Sequence, residues 1–226
     1  MPFELSEVKS EKEFKGVGVL LQKAYQTPFN SFWEILKGET EEECTSRYWE
    51  WHSASGSHWL QVKDTDTGEV IGACEWIIHE SNPFEKGNPI PTGDWWPNEH
   101  MRNVTDQALY TFLSRRPATM SKPHMLINIC CVAQEYRRQG VGRLLMQWGC
   151  EIADNKDLEG FVESTEDGVK LYESAGFVKV EKFHIEPTLP EGLSREASME
   201  WKQVKEQNFP SPYPVWLMHR PKKSAL

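Results

Sequence analysis

Met125-Leu-Ile-Asn-Ile-Cys-Cys-Val132, followed by Ala-Gln-Glu-Tyr and then by Arg137-Arg-Gln-Gly-Val-Gly142, is the stretch on which the fold turns. Its first part is a near-continuous apolar run, the pattern of a central strand buried on both faces. Beyond the turn, Val141, Leu144, Leu145, Trp148 and Ile152 share one helical face. The glycines let the backbone bend tightly and come close to a ligand. A helix start leaves its first N–H groups unpaired and carries the positive end of the helix dipole. Strand, turn and helix start together make an anion site suited to phosphate. Arg137, Arg138 and Arg143 add charge-assisted donors. The nucleotide P-loop pattern Gly-x-x-x-x-Gly-Lys-Ser/Thr is absent. The dinucleotide fingerprint fails too, because Gly142 is followed by Arg143-Leu144-Leu145 with no third glycine.

Working outward, Phe14, Val17, Leu20, Leu21 and Ala24 predict an amphipathic helix over 11–25, against the weakening presence of Gly16 and Gly18. A short helix is expected over 30–38, and Thr40 with Glu43 forms a capping box for a helix reaching Trp51. Residues 59–63 and 70–78 read as strands joined by Asp66-Thr67-Gly68. Pro83, Pro89, Pro91 and Pro97 predict a long loop over 79–104, with Trp95-Trp96 in it. A helix over 106–115 follows. After the central helix come a short strand at 160–163, a helix at 169–175 stopped by Gly176, and a strand at 177–185. Residues 186–213 read as a mixed excursion and 214–219 as a last strand.

The 226 residues fit one domain. Hydrophobic residues make up 38%, with ten Trp and ten Phe, enough for a real core. The net charge of −9 argues against nucleic acid as a partner, since that binding rests on neutralising phosphates. It is compatible with cationic substrates such as amines. The five cysteines include no Cys-x-x-Cys pair, so neither a disulfide framework nor a metal site is expected. No basic, apolar leader and no run of roughly 18 apolar residues is present. The expectation is a reduced, soluble protein of the cytoplasm, with the nucleus left open, needing no membrane.

Several residues carry chemistry. Glu75 lies on a predicted central strand among apolar neighbours, where an unpaired carboxylate is costly, which makes it a candidate general base. Glu163, at the end of the next strand, is the second candidate. Asp94, Glu99 and His100 lie in or beside the long loop, and Trp95, Trp96 and Glu99 are candidates for contact with a substrate beneath it. His79 and His124 flank strands, and Cys130 and Cys131 read as packing.

The Val132, Arg137, Gly140 and Gly142 positions resemble the coenzyme A motif of the GNAT acetyltransferase superfamily: a strand ending Val-x-Pro, then Arg-x-x-Gly-x-Gly or Ala, then a helix. Gln134 stands where the family often has proline. Leu171-Tyr172-Glu-Ser-Ala-Gly176-Phe177 resembles the family's second signature, Leu-Tyr-x-x-x-Gly-Phe. The resemblance covers about residues 58–78 and 106–186, and is nearest to fungal small-molecule members.

It implies an α/β fold: a mixed, mostly antiparallel sheet, helices on both faces, and a splay at the acetyl-CoA site. It implies that the backbone of Cys130 and Val132 meets the pantetheine arm. Arg137, Arg138, Gln139, Gly140, Val141, Gly142 and Arg143 would hold the pyrophosphate, with Ser164 as a polar contact. Tyr172 would be the general acid, since a placed phenol can protonate a departing thiolate. The expected activity is direct transfer of acetyl to a primary amine of a small molecule, by a monomer or homodimer without a metal. The alternatives are acetylation of lysines or N-termini of proteins, and a non-catalytic acyl-CoA-binding module.

Overall fold

A computed structural model describes residues 2–52 and 56–225. Seven strands form one sheet: β1 Phe3–Glu7, β2 Ser57–Asp64, β3 Val70–His79, β4 His124–Val132, β5 Glu159–Ser164, β6 Val178–Ile185 and β7 Tyr213–Arg220, in the order β1-β2-β3-β4-β5-β7-β6. Only β4 and β5 run parallel; every other neighbouring pair is antiparallel. The mixed, mostly antiparallel sheet is therefore as expected.

The helices are α1 Glu11–Gln26, α2 Ser31–Lys37, α3 Glu41–His52, α4 Glu99–Leu113, α5 Arg116–Thr119, α6 Val141–Lys156, α7 Val169–Ser174 and α8 Arg195–Asn208. On one face of the sheet, α6 and α7 bury Val141, Leu145, Met146, Val169 and Tyr172 against Cys74, Trp76 and Ile127. The other face carries two cores. One joins α1 and α3 to Trp59, Ala73 and Cys131, and the other joins α4 and α8 to Leu126, Phe161 and Leu217. Helix α6 sits close because Gly149 has no side chain: a Cβ there would stand 2.1 Å from the Trp76 ring. The Trp76 indole N–H donates to the Leu145 carbonyl at 3.1 Å.

Two boundaries and two elements differ notably from the sequence reading. The predicted 79–104 loop ends earlier, because α4 starts at Glu99, capped by the Asn98 side chain, which accepts from the Met101 N–H at 2.9 Å. That helix also stops at Leu113 rather than 115. The 186–213 excursion contains α8, capped by Ser194 and burying only Trp201, so its apolar stripe is too thin to register as periodicity. Strand β1 escaped notice because it is a five-residue edge strand with two glutamates and no fully buried side chain. No helix among the described residues is long and apolar enough to cross a membrane.

Candidate active site

Strands β4 and β5 pair only from His124↔Glu159 to Ile127↔Val162. Beyond that point β4 runs on to Val132, while Glu163 and Ser164 of β5 stay paired with β7 alone, so a wedge opens between β4 and β5. The opening coincides with a β-bulge: Glu75 faces Ile129 and Trp76 faces Ile127, leaving Asn128 as the extra residue. The Ala133 N–H donates to Ile71 at 2.9 Å. By the alternation of an antiparallel strand, the backbone groups of Val132 and Cys130 then face away from β3, toward the wedge. Both carbonyls on this open edge accept from the chain's own side chains. The Tyr25 hydroxyl donates to Cys130 at 3.2 Å, and Arg137 Nε donates to Val132 at 3.3 Å.

The turn after β4 ends on Gly140, at φ 93°, which favours glycine and starts α6 without a side-chain cap. The first helical bond is from the Leu144 N–H to Gly140, so the N–H groups before it have no partner inside the helix. Arg138, also in the left-handed region at φ 64°, is exposed beside them, as are Gln139 and Arg143. Arg137 points elsewhere. Besides Val132 it reaches the Ala24 carbonyl at 3.4 Å, bracing the turn onto α1. Gln139 folds back onto the Glu135 carbonyl. A Cβ on Gly142 would meet Leu171 at 3.1 Å, so this glycine serves the contact of α6 with α7. An open strand edge leading to an uncapped helix start fits the two parts of coenzyme A, an amide-bearing arm and a pyrophosphate.

A cavity of about 370 Å³ lies where the wedge opens. Asn128 and Ile129 form one lip, and Glu163, Ser164 and Thr165 the other. Its roof is aromatic: Tyr25 from α1, Phe32 and Trp33 from α2, Tyr48, Trp51 and His52 from α3, and Phe112 from α4. This corrects the expected roof. Of the 79–104 segment only Pro91 is in the wall among the described residues. Trp95 and Trp96 both donate their indole N–H to the Ile35 carbonyl, at 3.1 and 2.8 Å. Trp95 also lies against Trp51 and over Arg47, so it backs the wall instead of lining it. Glu99 is exposed at the start of α4, Asp94 accepts from Thr92, and His100 faces Glu200 of α8. From the 186–213 segment only Tyr213 reaches the cavity.

The two carboxylate candidates stand in different settings. Glu163 is gripped by Arg116, which donates Nε to both carboxylate oxygens at 3.1 Å and its terminal nitrogen at 2.6 Å. This pair is a fixed part of the wall, which corrects the reading of Glu163 as a free base. Glu75 is fully buried and absent from the cavity wall. It accepts two hydrogen bonds, from Ser57 Oγ at 2.7 Å and Asn128 Nδ2 at 2.9 Å, and His52 Nδ1 lies 2.7 Å from the same oxygen that Ser57 meets. Sequence reasoning found Glu75 and missed His52, which connects it to the cavity. A histidine ending a polar helix gives no periodic signal of its own.

Tyr172 reaches the wedge from the α6 face, 6% exposed and packed on Phe177. Burial pushes its phenol well above the ordinary range, and Cys130, Cys74 and Tyr25 add to this, so the hydroxyl stays protonated. Ser164 is 2% exposed and donates to the Thr165 carbonyl at 2.7 Å, turned into its own loop.

The acetyltransferase (GNAT) family model matches residues 21–177. The chain belongs to that family, whose members transfer acetyl groups from acetyl-CoA. Solved structures share its fold at low identity. One described as histone acetyltransferase HPA2 and related acetyltransferase, from Corynebacterium glutamicum, is 16% identical with a TM-score of 0.57, covering 98% of this chain and 97% of that one. Naa20 of Chaetomium thermophilum, solved with a bisubstrate analogue, is 18% identical with a TM-score of 0.53, covering 97% and 87%. A phosphinothricin acetyltransferase of Sinorhizobium meliloti, solved with AcCoA, is 12% identical with a TM-score of 0.52, covering 98% and 89%. No curated protein sequence matches the chain.

Proposed function

We propose that the protein transfers the acetyl group of acetyl-CoA to the primary amine of a small, largely apolar molecule. The observation that carries this reading is the roofed cavity of about 370 Å³, which meets the wedge at Asn128 and Glu163. Its volume is in the range of small-molecule sites, roughly 300–1,000 Å³. Helices α2, α3 and α4 close over it, which disfavours an extended peptide. The ring faces of Tyr25, Trp33, Tyr48 and Trp51 suit an apolar body and also tolerate a nearby ammonium.

Acetyl-CoA supplies an activated acyl group and a thiol that leaves. The chain's own residues do the rest. The N–H groups of Val141, Gly142 and Arg143, with Arg138, hold the pyrophosphate. The open edge of Cys130 and Val132 receives the pantetheine arm once Tyr25 and Arg137 yield the two carbonyls. Tyr172 delivers a proton at the sulfur. The Arg116–Glu163 pair keeps one lip of the cavity in place.

The test is a thiol-release screen with acetyl-CoA and a panel of free amines, with mass spectrometry of the product. Acetylated free amines support the reading. Transfer to short peptides but to no free amine would replace it with a peptide acetyltransferase. Tight acetyl-CoA binding without release of CoA from any acceptor would replace it with a binding module.

A further inference from the structure

Glu75 cannot itself meet a substrate, since it is fully buried and does not line the cavity. Its environment is nonetheless closely organised. Ser57 Oγ and His52 Nδ1 meet one carboxylate oxygen, each at 2.7 Å, and Asn128 Nδ2 meets the other at 2.9 Å. The Asn128 amide is oriented by Arg116, which donates to its Oδ1 at 3.2 Å. The bulge at Asn128 aims this side chain between the two. With Glu75 as a carboxylate, which accepts and cannot donate, the hydrogen between it and His52 sits on Nδ1. In the neutral ring, the lone pair is therefore on Nε2.

His52 is the member of this chain of contacts that forms part of the cavity wall along with Asn128. Its ring is held by Tyr48, at 5.6 Å between centroids, and by Trp59, at 5.8 Å. Charged and titratable groups near it, among the described residues, come from several elements. They include Glu75 from β3, Tyr48 on its own helix, Tyr25 and Tyr213 across the cavity, and the Arg116–Glu163 pair, which is neutral as a unit.

From this arrangement we infer that His52 is the general base toward the acceptor amine, and that Glu75 is the residue that positions it. The inference rests on the acetyl-transfer reading above. An N–H bond of the bound ammonium breaks, nitrogen keeps the electron pair, and the proton binds Nε2. The imidazolium is stabilised by the Glu75 anion and returns the proton to water. The freed amine forms the C–N bond as the C–S bond breaks. Sulfur keeps that pair and takes a proton from Tyr172, which recovers one from one of the two remaining N–H bonds of the acylated nitrogen, leaving the amide N–H. The arrangement separates the two proton transfers by face of the sheet. His52 acts on nitrogen from the α3 side and Tyr172 acts on sulfur from the α6 side.

The test uses the full chain with 2-phenylethylamine as acceptor, or the fastest amine of the panel if that one is not acetylated. Wild-type kcat/KM falls on the acid side as Nε2 takes a proton. In His52→Gln the expected kcat is lower by about 10²- to 10⁴-fold and the acid limb disappears. Acetyl-CoA affinity by calorimetry stays at the wild-type value, which shows that the fold and donor site are intact. Added imidazole restores part of the His52→Ala rate. In Glu75→Gln the acid limb moves to lower pH, because the anion that stabilises the imidazolium is gone; a purely structural Glu75 would not move it. Long-range proton–nitrogen NMR on histidine-labelled protein should show His52 as the Nδ1–H tautomer, with no acceptor needed. A His52→Gln enzyme that keeps the wild-type rate and acid limb overturns the base assignment alone. A wild-type protein that acetylates no amine overturns the acetyl-transfer reading and the base with it.

Discussion

Arg116 holds Glu163 by both carboxylate oxygens, and the two side chains are only 13% and 4% exposed. Removing one partner from such a pair leaves the other charge without compensation, at a cost of about 3 kcal/mol. Glu163→Gln should therefore lower the urea midpoint with an unchanged m-value, and Arg116→Met should do the same. A Glu163→Gln protein of wild-type stability that has lost turnover would return Glu163 to the role of base.

The arginines of the turn should separate by function. Arg138 is exposed next to the α6 start, whereas Arg137 braces Val132 and Ala24. Arg138→Ala should weaken acetyl-CoA binding about tenfold, the loss of roughly one charged hydrogen bond, with little change in melting temperature. Arg137→Ala should lower the melting temperature as well. Gly142→Asp should impair both, since its side chain would push on Leu171 at 3.1 Å as well as bring a carboxylate to an anion site. Calorimetry and thermal melts on the three variants check this; equal effects of Arg137→Ala and Arg138→Ala on both readouts would remove the distinction.

Tyr172→Phe keeps the packing on Phe177 and removes only the hydroxyl. Turnover should fall about 10²-fold while acetyl-CoA affinity holds. A normal rate would leave Tyr172 with packing alone.

His79 and His124 face each other across β3 and β4, with ring centroids 4.7 Å apart. Burial pushes His79 down to about 4, and burial also lowers His124. Both are neutral when folded and protonate near 6.5 when unfolded, so the unfolded chain binds more protons in between. Their contribution is present in full above pH 6.5 and is lost as pH falls below it, for His79 down to about 4. Urea midpoints measured across that window should fall with pH, and His79→Gln should flatten the slope.

Much of this was legible in the chain. The apolar run of β4, the glycine turn and the stripe of α6 are local patterns, and each lies where local physics puts it. Glu75 was legible because a carboxylate in an apolar strand needs a reason. Its partners were not, because Ser57 and Asn128 meet it only through the register of β3 with its neighbours, and His52 only through the packing of α3. The paired tryptophans misled, since sequence shows that Trp95 and Trp96 are large and near a loop, but not that Ile35 offers both of them a carbonyl. Gly16 and Gly18 counted against α1 on propensity, while their role is close approach to Val70 and Thr45.

Past Ile127 and Val162 the sheet behaves as a pair of jaws joined at one end: β1 to β4 form one jaw, and β5, β7 and β6 the other. The acceptor chamber takes a wall from each jaw, so whatever occupies the gap sets the chamber's width. Donor and acceptor are then thermodynamically linked without touching at most of their atoms. Acceptor affinity should rise when a non-hydrolysable acyl-CoA analogue is present, analogue affinity should rise by the same factor with acceptor present, and steady-state kinetics should show the donor binding first.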